Sequence, residues 1–444
     1  MRPLVCSLAL VAAATASTTT ASAEPKRLTL EQLTSKAIAG PRGRMADGDI
    51  DAAAARVQEA DAARYPRFKA TAFGTISPEI RCKDPACTIT DPVNFSLQFK
   101  GLFGSGQLEI TQPLFTFGKI THARRAARAG LDAQRALANE TAGDVAVEAA
   151  RAYWGLKTAR EVVSMLEDGI QEIDKAVAAM NEQTGSNKPS IQDRQRVAVL
   201  LAEARAQQAD AIANVEQALA GVRVLANARD ADIDEETMEP ISGEPPGSLS
   251  GERRPQAIAA RHGAIAADEL AALQRAYYLP DFAVVASGVA AGAQGADDPP
   301  SAFANDPYNR FGAGAVVALQ WNSEPWTLRA RSARAAAEAR KAHALADLAV
   351  QGAAFDADNA VADARAAHAK MTAAHDGEKA GRAWVASVLQ GQAIGVVEAR
   401  DLADAYIAWF QMHARWLQAV FQWNVAVVRL QRASGEFRAI GYRP

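Results

Sequence analysis

Three carboxylates, Asp193, Glu398 and Asp401, follow closely on two glycine-containing turns, Gly185-Ser186-Asn187-Lys188-Pro189-Ser190 and Gly391 to Gly395. Acids in the first turn of a helix complement the positive end of its dipole. Like charges gathered in one place would favour cations and raise one another's proton affinity. Glu398 and Asp401 are three apart and share one helix face. Cys82 and Cys87, in Arg81-Cys82-Lys83-Asp84-Pro85-Ala86-Cys87, read as a local disulfide closing a short polar loop. A Cys-x4-Cys pair without a neighbouring histidine is a poor zinc site. His343, His368 and His375 have no partners at metal-ligand spacing and read as solvated. There is no Gly-x-Ser-x-Gly elbow, phosphate-cradling glycine loop or His-Glu-x-x-His helix, so no catalytic role, metal or cofactor is expected.

The elements that must position these groups are organised around Leu108 to Lys119, which contains Gln112-Pro113-Leu114-Phe115. Before it, residues alternate as in a strand. After it, they run in helical period to about Thr184, and an unbroken helix of that span would be roughly 100 Å long.

Export comes first along the chain. Arg2, the apolar run Leu4 to Ala14 and Ala21-Ser22-Ala23 form a cleavable signal peptide over residues 1–23. Net charge is −3, which gives no signature of nucleic-acid binding. No apolar stretch of 18 or more residues follows the leader, so any membrane span must be made of strands.

A first repeat covers 24–228. Helical patterning from Leu28 to Ala63, interrupted at Gly40-Pro41, ends before Pro66, and strands are expected at about 68–80 and 93–112. In Val93 to Lys100 every odd position is apolar, and the phase flips around Gly101 to Gly104, where a bulge is expected. A helical hairpin over about 118–228 follows. Residues 229–251, acidic and rich in proline and glycine, read as a linker.

The order then repeats over 252–434, with Pro280 in the place of Pro66, strands at about 281–290 and 308–321, and a hairpin over about 326–434. Aligning Gly104-Ser105-Gly106 with Gly312-Ala313-Gly314 brings Gln112 onto Gln320. A tail covers 435–444. Lys119, His122, Arg124, Arg125 and Arg128, with Arg329, Arg331 and Arg334, read as solvated faces, with anionic headgroups as the alternative contact. Trp384, Tyr406, Trp409, Phe410, Trp416, Phe421 and Trp423 read as packing between helices.

Four strands cannot close a barrel around water, and a membrane sheet with open edges would leave backbone groups unpaired in hydrocarbon. Several copies must then share one barrel. The leader, the duplicated helix-strand-strand-hairpin order, the proline before each first strand and the Gln112-Pro113-Leu114-Phe115 junction resemble the TolC-type outer-membrane efflux family over nearly the whole mature chain. The resemblance implies an α+β membrane fold: a homotrimer whose chains each give four strands to a 12-stranded barrel above a periplasmic α-helical barrel. It implies a passive duct for efflux or type I secretion, set among outer-membrane lipid. The tips, marked by Gly185, Gly391 and Gly395, would dock on a periplasmic adaptor that links an inner-membrane transporter. Asp193, Glu398 and Asp401 would then form the periplasmic constriction. In the second repeat the junction reads Gln320-Trp321-Asn322-Ser323-Glu324-Pro325-Trp326 and lacks the Pro-Leu-Phe run. The competing reading is a soluble periplasmic coiled-coil adaptor or scaffold.

Overall fold

The computed structural model describes residues 26–82, 93–182, 190–294, 309–393 and 399–435. The elements in order are β1 (Lys26–Leu28), α1 (Leu30–Ile38), α2 (Pro41–Ala62), β2 (Arg67–Cys82), β3 (Val93–Phe115), α3 (Lys119–Glu182), α4 (Ile191–Ala226), β4 (Ala231–Ile233), α5 (Pro255–Ala276), β5 (Asp281–Ala293), β6 (Arg310–Gln320), α6 (Pro325–Ala393) and α7 (Ala399–Ser434). The order is the duplicated one expected, an α+β fold with four long strands. The leader, the residues between β2 and β3, and the tail beyond Gly435 lie outside the described residues.

The chain divides into two compact units. One contains the described residues of 38–148, 240–376 and 422–435 and carries a four-stranded sheet of order β2-β3-β5-β6, antiparallel throughout. The two helices that lead into it, α2 and α5, are each 22 residues long with proline in the first turn, where a missing N–H costs nothing. Each ends ahead of its strand-leading proline, Pro66 or Pro280.

The bulge lies slightly before the expected glycines. The register steps at Ser77/Pro78 and again at Pro78/Glu79, so that Pro78 faces Phe99 and Lys100 has no opposite residue. Pro78 has no N–H to donate to the ladder, which makes it the natural place for an irregularity. The register also corrects the internal alignment. Arg67 and Asp281, each directly after its proline, lie opposite Thr111 and Gln320 respectively. Thr111 is therefore the counterpart of Gln320, and Gln112 that of Trp321. The Gly-x-Gly match misleads because it ignores which face of the sheet each glycine occupies.

In this unit α6 presents a stripe of buried small residues: Leu328, Ala335, Ala339, Ala346, Ala353, Ala357 and Ala364. Their intervals of seven and four, about two turns and one turn of helix, keep the seam on one side. Trp423 packs with Val361, Ala364, Ala367, Ala426 and Leu430. Its indole N–H donates to Ile241 O (2.7 Å), and the Ile241 N–H donates to Asn424 Oδ1 (2.8 Å). Adjacent residues of α7 thus satisfy both backbone groups of one linker residue.

The other unit contains the described residues of 1–37, 149–239 and 377–421. Here β1 and β4 pair in parallel, so part of the expected linker is strand. Asp234, just past β4, accepts from Tyr153 Oη at 2.5 Å and pairs with Lys157 at 2.6 Å, while Arg160 pairs with Asp232 at 2.6 Å. Lys157 is 5% exposed, and its ammonium is compensated by Asp234 and by the Tyr153 and Trp154 rings. Burial pushes the Asp234 carboxyl up, but the bonds from Lys157 and Tyr153 outweigh it and hold it below the usual range. Burial and Asp234 together push the Tyr153 hydroxyl up. Phe410 of α7 sits over Gly169 of α3, where an added Cβ would come within 2.5 Å of the ring.

Candidate functional site: a two-faced sheet and its junctions with the helices

Strand alternation and the observed register together sort the sheet into two faces. Phe68, Ala70, Ala72 and Ile76 of β2 share one with Leu102, Leu108 and Ile110 of β3, Val284 and Ala286 of β5, and Phe311, Val317 and Leu319 of β6. No charged residue falls on that face through these rows, and Phe68, Ile76, Leu102, Leu108, Phe311, Val317 and Leu319 are exposed. The opposite face carries Arg67, Lys69, Thr71, Thr75, Gln107, Glu109, Thr111, Ser287, Arg310 and Gln320. A sheet with one exposed apolar face and one polar face can lie between lipid and water. Its outer strands, β2 and β6, are edges within the chain.

The junctions join this sheet to the helices. The Gln112 side-chain amide donates to Arg64 O (2.8 Å) and Pro113 O (2.9 Å). In the second repeat the Trp321 indole N–H donates to Tyr278 O at 3.3 Å. Arg64 and Tyr278 occupy the same place, two before the proline, so two unlike side chains cover equivalent helix-end carbonyls. Lys119 donates to Leu279 O (2.9 Å), pairs with Asp281 (2.8 Å) and lies 5.4 Å from the centre of the Tyr277 ring. The turn from β3 into α3 is sharp: Phe117 has φ +48° and Gly118 φ +87°. The Phe117 ring is held edge-on against Phe115, with centroids 4.7 Å apart.

The basic cluster at the start of α3 is not a free solvated face. His122 and Arg125 meet Glu269 at 2.6 and 3.8 Å, and Arg124 and Arg128 meet Asp61. The partners lie on α2 and α5, although Arg125 and Arg128 stay more than half exposed. The second cluster differs, since Arg334 pairs within its helix with Glu338 while Arg329 and Arg331 have no ion pair among the described residues. His343 bonds Asp268 (2.8 Å) and His368 packs against Trp423. Neither is simply solvated, because each partner is distant in sequence and near only in the fold.

A second ionic group lies in the sheet-bearing unit. Arg254, 4% exposed, pairs with Glu140 (3.0 Å) and with Asp356, and Arg432 pairs with Glu140 (2.8 Å) and Asp144 (2.6 Å). Burial pushes the Asp144 carboxyl up, against the pull of Arg432. In the other unit Glu378, 7% exposed, accepts from Arg382 (2.7 Å) and from the Trp409 indole (3.2 Å), with His413 Nδ1 3.5 Å away. Burial raises the Glu378 carboxyl, but these donors outweigh it and hold it below the usual range. Burial pushes the His413 imidazole down, against the attraction of Glu378. Trp409 also packs on Val385, Val388 and Leu402 of this unit, in keeping with the packing role read from the sequence.

Of the expected tip residues, Asp401 is exposed in the first turn of α7. Asp193 lies in the first turn of α4, with its side chain outside the described residues. Gly185, Gly395 and Glu398 also lie outside them, as do Cys87 and the Cys82 side chain. Gly391 is helical, because α6 runs on to Ala393 and a single glycine does not end a helix. Among the described residues no cluster of His, Cys, Asp or Glu could hold a metal, and no helix is long and apolar enough to cross a membrane.

Residues 44–228 match the family model described as outer membrane efflux protein. Solved structures share the fold across the chain. The outer membrane protein VceC of Vibrio cholerae has a TM-score of 0.72 at 17% identity, covering 91% of this chain and 96% of that one. The open-state outer membrane channel MtrE of Neisseria gonorrhoeae gives 0.73 at 19% identity, covering 91% and 88%. CusC, whose structures concern folding and transmembrane channel formation, gives 0.73 at 17% identity, covering 93% of each chain. No curated protein matches the sequence.

Proposed function

We propose, from the match of residues 44–228 to the outer membrane efflux protein family, that three copies of this chain build one passive exit duct. On this reading the chain sits in the outer membrane with its helical part in the periplasm. The observation that carries the trimer is the pair of open edges, β2 and β6, on a sheet with an exposed apolar face. In hydrocarbon both edges need partners, and β6 of one copy pairing with β2 of the next supplies them.

Internal duplication specifies the pairing. Within the chain Leu108 lies opposite Gly288 and Ile110 opposite Ala286. Their counterparts in the other repeat are Val317 with Gly74, and Leu319 with Ala72. Carried between copies, this register keeps Val317 and Leu319 on the lipid side with Ala72 and Gly74. It also sets Gln320 opposite Thr71 of the neighbour on the polar side. Three copies give twelve strands around an aqueous lumen. Tyr65, Tyr277, Tyr278, Trp321 and Trp326, all exposed near the helix end of the sheet, suit the aromatic girdle of a barrel in outer-membrane lipid.

The duct has no energy source of its own. Its work is to conduct cargo delivered by an inner-membrane transporter, through a periplasmic adaptor docked at the tips around Gly185, Gly391 and Gly395, in efflux or type I secretion. Asp193, Glu398 and Asp401 guard the periplasmic mouth and select cations. Mass measurement of detergent-extracted protein from outer membranes, run native and then heated, tests the assembly. A heat-sensitive species of three chains is expected, and a monomer released in soluble form by osmotic shock contradicts it. Glu398→Ala with Asp401→Ala should weaken cation selectivity in planar bilayers; unchanged selectivity contradicts the guard.

A further inference from the structure

In the unit that holds 149–239 and 377–421, α7 sets Tyr406, Trp409 and Phe410 on one side, since residues three and four apart share a helix face. Tyr406 stacks on Phe410 with centroids 6.0 Å apart and planes at 24°, and the Trp409 ring lies 4.9 Å from Phe410 and 6.4 Å from Tyr406. Glycines draw the neighbouring helices in. Phe410 sits over Gly169 of α3, and a Cβ added at Gly381 of α6 would lie 3.0 Å from Trp409 Cα. This packing still leaves space. The three rings and Val385 line a cavity of about 230 Å³, and the rest of its lining is charged: Asp168 and Glu172 of α3, one helical turn apart, and Arg382 of α6.

The charges around this space do not cancel. Arg382 is bound to Glu378 at 2.7 Å, and Glu172 to Lys175 at 2.6 Å. Asp168, exposed at the rim, has no ion pair among the described residues and leaves the mouth negative. Burial, with Glu172 adding to it and Lys175 opposing, pushes the Tyr406 hydroxyl up, so carboxylate and ring act on the same space. Aromatic side chains that fill their surroundings are packing, but rings around an open space with a carboxylate at its rim suit a cation, which their π-systems attract. We propose that this cavity binds small organic cations with an alkylated ammonium head, Tyr406, Trp409 and Phe410 taking the head and Asp168 supplying the counter-charge. Its volume suits a compact ammonium rather than a drug-sized ligand, which takes roughly 300 Å³ or more. The site is complete within one chain, so it goes beyond the exit-duct reading and stands without it.

Saturation-transfer NMR titrations of the full chain, extracted in a neutral maltoside detergent, test the site with choline and 3,3-dimethylbutan-1-ol, alike in shape and differing in charge. Choline should saturate and bind about tenfold more tightly than the alcohol. Tyr406→Leu keeps apolar bulk and should weaken choline about tenfold, whereas Tyr406→Phe keeps the ring and the affinity. Asp168→Asn, at the exposed rim where folding does not depend on it, should weaken choline and leave the alcohol unchanged. No saturation by choline, equal binding of the two probes, or a choline affinity indifferent to Asp168→Asn overturns the site. None of these outcomes touches the duct, whose assembly is read separately from the heat-sensitive species of three chains.

Discussion

The indole N–H of Trp321 donates to the carbonyl of Tyr278 across 3.3 Å, as the Gln112 amide donates to Arg64 O in the other repeat. Both carbonyls lie just past the last turn of a helix that stops before a proline, where no helical N–H follows to pair with them. Trp321 is thus the functional substitute for Gln112, although the two share neither shape nor size.

Removing either donor should loosen its junction. Gln112→Ala or Trp321→Ala is expected to cost about 1 kcal/mol, that of one hydrogen bond. Trp321→Gln should restore most of it. Thermal unfolding of the detergent-solubilised protein reads the three variants, and a Trp321→Gln protein no more stable than Trp321→Ala would contradict the equivalence.

Gly118 stands at φ +87°, beside Phe117 at φ +48°. A side chain at Gly118 is strained there, and its Cβ would also lie 3.3 Å from the His122 ring. Gly118→Ala should therefore destabilise by 1 kcal/mol or a little more. Gly130→Ala, inside α3 where an added Cβ meets nothing within 4 Å, should be neutral or stabilising. Equal effects at the two sites would remove the conformational argument.

Arg254 is the buried centre of the ionic group that joins Glu140 and Asp356. Arg254→Ala leaves Glu140 short of a partner in a buried place and should cost about 3 kcal/mol. Arg27→Ala removes only the exposed pair with Glu235 and should cost less than about 1 kcal/mol. Denaturant midpoints compare the two directly.

Acid should weaken the unit that holds His413. Its folded affinity for a proton is depressed by burial, with Glu378 pulling the other way and Arg382 and Glu161 adding smaller effects. The unfolded chain therefore binds the proton first, and stability falls as pH drops below the ordinary value of 6.5. Glu378 adds a second loss below its ordinary value of 4.5, because its folded carboxyl is held down. His413→Gln should flatten the upper part of this profile, between about pH 6.5 and 5, and leave the lower part in place. An unaltered profile in melting curves across that range would show that other groups govern it.

Much of the fold was legible because its signals are local. Pro66 and Pro280 end helices, and the change of period at Gln112-Pro113 marks the strand-to-helix junction; each needs only neighbours in sequence to be read. The one-residue slip that set Gln112 on Gln320 shows the limit, since facing is a property of pairing and pairing is absent from a string of letters. β1 and β4 have three residues each, too few to show a period. His343 with Asp268, Arg124 with Asp61 and His122 with Glu269 are contacts between residues far apart in the chain, so these side chains read as solvated.

The central claim is that β6 of one copy pairs with β2 of the next in the register fixed by the internal repeat. Disulfide trapping between Thr71→Cys and Gln320→Cys, in a chain carrying Cys82→Ser and Cys87→Ser, tests it in native outer membranes. Oxidation should give reductant-sensitive species of two and three chains and none larger, while Ala72→Cys with Gln320→Cys, on opposite faces, should stay monomeric. An unlinked Thr71/Gln320 protein, or a ladder continuing beyond three chains, would contradict the shared closed barrel.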